Sequence, residues 1–182
     1  MDASRRNKIY AILAGGLVLG VGAAVTLAAW NDSEFATGTF TAGSFDLQGS
    51  TDGTSGWASH DTDPGATLDF TVDADNLAPG DSVYALYSIR LVGTTDGDLT
   101  NVAPTTAGAN AANLAAETHV ITGTVCDATT FTAGSATLPT TITAGTDATA
   151  APINYCLQVT AGNDLVQAAE GTVTWQWTAE SQ

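Results

Sequence analysis

Residues 83–91 read VYALYSIRL, and every second one (Val83, Ala85, Tyr87, Ile89, Leu91) is apolar or aromatic. Side chains on a strand alternate between its faces, so this run sends five of them toward one core. The neighbours Tyr84, Leu86 and Val92 are apolar as well, which predicts a strand covered on both faces for part of its length. The same period recurs at Leu68, Phe70 and Val72, at Ile153, Tyr155, Leu157 and Val159, and at Val173, Trp175 and Trp177. Weaker strand patterns lie at 35–40, 44–48, 119–126 and 138–143. Turn chemistry separates them: Asp63-Pro64-Gly65, Pro79-Gly80-Asp81, Asp96-Gly97-Asp98 and Ala161-Gly162-Asn163. Helical patterning is poor, with a turn or two expected at 110–118 and at 163–169. Residues 94–118 are the least apolar stretch and read as a long surface excursion. Many short strands with such punctuation predict an all-β chain folded as an antiparallel sandwich.

The charge narrows the function. In 182 residues there are four Lys+Arg against nineteen Asp+Glu, a net −15. Such a chain repels phosphate backbones and has no basic cluster to release their counterions, which excludes nucleic acid as a partner. Attraction to an anionic membrane surface is excluded for the same reason. A hydrophobic content of 44% argues against disorder.

Three of the four bases, Arg5, Arg6 and Lys8, stand just before an uncharged apolar run, Ile9–Ala29. A short basic stretch, an apolar run and small residues at its end form an export signal. The run is also near the length of a membrane-spanning helix, so an uncleaved anchor is the competing reading, and the membrane enters through that segment alone. Residues 1–29 are thus assigned to a signal helix and 30–182 to a single domain with an N-terminal arm, 30–45. From residue 30 on, Arg90 stands alone against eighteen acids, a net −17, with no lysine and no methionine. Cys126 and Cys156 are either a disulfide closing a loop of about thirty residues or two buried thiols, and an exported chain favours the bridge.

The segment from Thr26 to Leu47, TLAAWNDSEFATGTFTAGSFDL, resembles the start of the TasA and camelysin family of secreted Gram-positive proteins. There an Ala-Ala pair precedes an aromatic-Asn-Asp sequence, here Ala28-Ala29 before Trp30-Asn31-Asp32, followed by the turn and strand Phe40–Leu47. Asn76-Leu77-Ala78-Pro79-Gly80-Asp81 is similar to the family's turn into a long strand, and Thr172–Ala179 to its last strand. Residues 94–150 match nothing in it. The resemblance implies a jelly-roll-like antiparallel β-sandwich preceded by an N-terminal signal/transmembrane helix, cut between Ala29 and Trp30 by a SipW-type signal peptidase. Leu27, three residues before that cut, is not the small residue an ordinary signal peptidase prefers. The resemblance further implies secretion and self-association into fibres of a biofilm or surface matrix, through an N-terminal strand given to a neighbour. Trp30, Phe35, Phe40 and Phe45 are the anchors of that arm. A free chain end is mobile unless tied down, and an open sheet edge accepts an extended strand through main-chain hydrogen bonds.

Catalytic chemistry is sparse. Some camelysin relatives are metallopeptidases, but His60 and His119 lie far apart and no His-Glu-x-x-His exists to hold a catalytic zinc. There is no Gly-x-Ser-x-Gly elbow. A cysteine nucleophile beside His119 requires a free thiol, which a disulfide removes. The acidic clusters 61–63, 73–76 and 96–98 are oxygen-rich enough for calcium, yet none completes an EF-hand loop. Leu138-Pro139-Thr140-Thr141 falls short of a sortase signal, with Ile142 where Gly is required. Trp57, in a Gly/Ser-rich loop, is the candidate exposed platform for a sugar ring, whereas Trp175 and Trp177 share one strand parity and face the core. No catalytic, metal or cofactor residue is therefore expected. The charge itself predicts that subunits stay apart until salt, divalent cations or acid neutralise them.

Overall fold

The computed structural model describes residues 2–25, 33–70 and 74–182. Helix α1 (Ala3–Val25) is followed by strands β1 (Phe45–Ser50), β2 (Ser82–Gly93), β3 (Gly97–Gly108) and β4 (Leu114–Ile121). A short helix α2 (Ala128–Ala133) leads to β5 (Thr141–Ile142), β6 (Ala144–Gly145), β7 (Ile153–Ala161) and β8 (Gly171–Ser181). The chain divides into one unit up to Phe40 and a second from Thr41 to Gln182.

In the first unit α1 contains most of the apolar run, and its side chains Ile12, Leu13, Leu17, Val18 and Leu19 are exposed. No helix among the described residues is long and apolar enough to cross a membrane. Ala29 and Trp30, the expected cleavage pair, lie outside the described residues. Ser33–Phe40 follows without regular structure, so the strand expected at 35–40 is absent. With no sheet to pair with, Phe35 and Phe40 stand 91% and 95% exposed. Phe45 behaves differently from Phe35 and Phe40: it opens β1, opposite Gly93, and packs on the core of the second unit.

That unit is built from two mainly antiparallel sheets. The larger runs β1-β2-β7-β4, with β6 lying parallel to the end of β2 that β7 leaves free; the smaller runs β5-β3-β8. Every residue of the Val83–Leu91 series is buried, and Leu91, Tyr155 and Leu157 have no exposure at all. They meet Leu99 and Ile142 of the smaller sheet in one core. The outer face of the larger sheet is covered too, as the apolar Tyr84 and Leu86 required. There α2 lays Phe131 against Tyr84 and stacks it on His119, whose ring centroid is 4.0 Å away. Asp127 starts this helix with a capping box, accepting the Thr130 N–H while Thr130 Oγ1 accepts its own.

Cys126 and Cys156 form a disulfide inside this outer cluster, with Cα atoms 5.2 Å apart. Cross-linking 30 residues removes unfolded-state entropy worth about 3–4 kcal/mol. Replacing both cysteines by alanine is accordingly expected to lower the unfolding free energy by about 3 kcal/mol, read as a reduced urea midpoint.

Several expectations are corrected. Residues 97–108, inside the supposed surface excursion, form the twelve-residue β3, held by its ladder to β8. The helical turn expected at 110–118 shrinks to a 3-10 turn at Ala111–Asn113, after which the chain enters β4. Residues 163–169 are turns. The strand expected from Leu68 has no ladder over its described part, 67–70, although Leu68 and Phe70 keep the inward parity and Leu68 packs on the core. Val72 lies outside the described residues.

A candidate assembly site on the open side of the smaller sheet

β8 alternates as its sequence demands, with Val173, Trp175, Trp177 and Ala179 turned inward and the threonines between them exposed. Yet none of the four reaches full burial, in contrast to the facing row of the larger sheet. Three strands, one of them only two residues long, are too narrow to cover the four-strand face opposite.

The uncovered place is a cavity of about 170 Å³. Trp175 and Trp177 line it together with Asn101–Pro104 of β3, Ala116 and Thr118 of β4, and Leu138. Trp177 stacks on Tyr87 with ring centroids 5.1 Å apart and meets Tyr155 at the same distance. Trp175 donates its indole N–H to Thr118 Oγ1 at 3.1 Å, and Phe70 approaches its ring. Tyr155 donates to Asn101 Oδ1 at 3.0 Å, and Asn101 Nδ2 donates to the Pro139 carbonyl. Burial holds both tyrosine hydroxyls above their usual pKa, Tyr155 most strongly, so both stay neutral. The polar side chains of the lining are thus partnered, and Val102, Ala103, Pro104, Ala116 and Leu138 supply its apolar part.

Two backbone edges border it. β5 pairs with β3 only at Gly97 and Asp98, and beyond the Leu99 N–H bonded to Thr140 no strand among the described residues pairs with that edge. β4 is bridged at Val120 by Ser135 and its Leu114 N–H turns back to the Ala111 carbonyl, and among the described residues no strand pairs with its outer edge from Ala115 to Thr118. Tyr87, Tyr155, Asn101 and Thr118 were not foreseen as parts of a site. The tyrosines read as core from their parity, and nothing in the sequence marks the other two.

The remaining candidates fall elsewhere. Cys126 and Cys156 are bonded to each other, so neither is a thiol nucleophile. His119 Nδ1 donates to the Phe131 carbonyl at 2.7 Å, and His60 Nδ1 lies 3.4 Å from the Tyr87 hydroxyl. Asp96 and Asp98 accept from the Ala144 N–H and from Gln182. No cluster of three or more metal-ligating side chains occurs among the described residues. Trp57 is not the open platform expected: Arg90 lies over its ring, 4.7 Å from the centroid, and Trp57 is half-buried. Arg90 is itself held by Gln48 and by an ion pair with Asp147. Thr141 and Ile142 form β5.

No family model and no curated protein matches this chain.

Proposed function

We propose that the protein is a secreted, non-enzymatic, jelly-roll-like subunit of extracellular fibres or surface matrix, which assembles when the N-terminal arm of one copy completes the smaller sheet of the next. The reading draws on the resemblance of residues 26–47 to the TasA and camelysin family, and on cleavage between Ala29 and Trp30 that frees the arm. One observation carries it: the inward row of β8 is left half-buried over a cavity bordered by edges of β3 and β4 with which no strand among the described residues pairs.

An extended segment laid along β3 gains main-chain bonds, and an alternate aromatic side chain fills the seat above Trp175 and Trp177. Ser33–Phe40 has the needed character, carrying two phenylalanines exposed beyond 90% and a single charge, Glu34. A contact in which one end of a copy engages a different surface of the next does not close on itself, so it propagates as a filament.

Electron microscopy of negatively stained protein tests this. Exported protein beginning at Trp30 is expected to form filaments, and a version lacking residues 30–40 to remain as single particles. Filaments from both would refute the arm mechanism, while casein hydrolysis by metal-loaded protein would favour the peptidase reading.

A further inference from the structure

Among the described residues, β8 is bonded to a neighbour along one edge only, that facing β3. Leu99 spends its N–H on Thr140, away from β8, so the ladder's alternation turns the backbone of its partner Ala179 away from β3. The backbone groups of Trp177, Trp175 and Val173 follow the same parity. The Gln182 N–H bonded to Asp96 fixes the opposite parity for the even-numbered residues. No described residue pairs with this outer row.

Natural edge strands are blunted by charge, proline or a bulge. Gly171–Ala179, GTVTWQWTA, has no charge and no proline, and the bulge in its ladder lies on β3. This is notable in a chain that carries eighteen acids beyond residue 29. The strand also reads nearly the same in both directions about its midpoint, Gln176. Trp175 mirrors Trp177, Thr174 mirrors Thr178, and Val173 mirrors the small apolar Ala179.

We propose that β8 pairs antiparallel with β8 of a second copy about a two-fold axis at Gln176, joining the two smaller sheets into one. This register overlaps all of Gly171–Ser181. The outward-facing backbones then meet in pairs, Trp175 with Trp177 of the second copy and Val173 with Ala179, each pair exchanging two hydrogen bonds. Side-chain faces are conserved across the seam: indoles adjoin on the core side, and threonines pair on the exposed side. Glu180 falls opposite Thr172, whereas moving the axis to Trp175 would oppose Glu170 to Glu180. The contact is isologous and self-limiting, and it uses the edge of the sheet opposite to the one assigned to the arm. It joins chains side by side whether or not filaments form.

Gln176 meets its own counterpart as a non-hydrogen-bonded pair, with Cα atoms about 4.5 Å apart, within disulfide reach. The native cysteines are paired, so one introduced thiol reports on one contact. Full-length Gln176→Cys, treated with copper phenanthroline, is expected to give covalent dimers on a denaturing gel at least about tenfold faster than Thr100→Cys, exposed on the neighbouring strand. A second pair of variants avoids cross-linking. Gln176→Glu sets carboxylates face to face and is expected to weaken self-association by about tenfold, in sedimentation at a salt concentration where the unsubstituted protein dimerises. Thr174→Glu adds the same charge to the same face opposite Thr178 and should change it far less. Equal cross-linking at the two cysteine positions, or equal effects of the two glutamates, overturns the proposal. Either result leaves the arm mechanism untouched, because the arm is intact in all four variants.

Discussion

Trp177→Ala should destabilise the β-sheet unit by about 3 kcal/mol, near the lower end of the range for deleting a large aromatic from a core. The lower end is right because Trp177 is only partly buried. Its indole nevertheless spans the two sheets, stacked on Tyr87 and tilted against Tyr155, both of the larger sheet. Truncation leaves a void beside a Tyr155 side chain whose hydroxyl bonds Asn101, and the existing cavity merges with it. For a unit of this size the loss lowers the thermal midpoint by roughly 6–12 °C. Trp177→Phe keeps a ring against Tyr87 and should recover at least half of the loss. A drop of under about 1 kcal/mol for the alanine variant would mean that the smaller sheet does not depend on this contact.

The strands legible in the sequence were those whose partners are in the core. Val83–Leu91 and Val173–Trp177 alternate because one parity of each meets the shared core; the other parity is exposed along β8 and only partly covered along β2, so burial is deeper on the core side. β7 shows where that logic weakens. Tyr155, Cys156 and Leu157 are all fully buried, since α2 and the disulfide cover the face that alternation assigns to solvent. β3 was hidden for the opposite reason. From Val102 to Gly108 it extends past the packed core, so its sequence (VAPTTAG) carries no burial signal and only the ladder to β8 holds it extended. The segment at Leu68 kept its inward parity without gaining a ladder, which periodicity cannot distinguish from a strand. The cavity was equally illegible: it arises from a mismatch in width between two sheets, a property of strand order and not of any one residue.

Lowering the pH from 7 to about 4 should convert dispersed protein into filaments, a change that microscopy and light scattering detect together. At neutral pH eighteen carboxylates face one arginine beyond residue 29, and that arginine is already paired with Asp147. Protonating carboxylates lowers that net negative charge and so weakens the repulsion between copies. About 1 M salt should act similarly at pH 7 by cutting the screening length to about 3 Å. Acid can also unfold proteins, but two carboxylates that support local structure here are protected against that. Asp52 accepts from Ser55, through its side chain and backbone, and from Thr54 and Ser50; Asp127 accepts from Thr130. These bonds hold both below their usual pKa of 3.8 in the folded chain. The stability they contribute is therefore complete above about pH 3.8 and is lost only as the pH falls further, through their folded values. Tryptophan fluorescence is thus expected to stay native at pH 4. Acid also reduces the net charge that keeps copies soluble, so amorphous precipitation is a competing outcome. The arm separates the two. Removing residues 30–40 takes away only Asp32 and Glu34 of the acids, so a version without them should still cluster at pH 4, but without filament order. Particle size unchanged between pH 7 and 4 would show that repulsion is not what keeps the subunits apart.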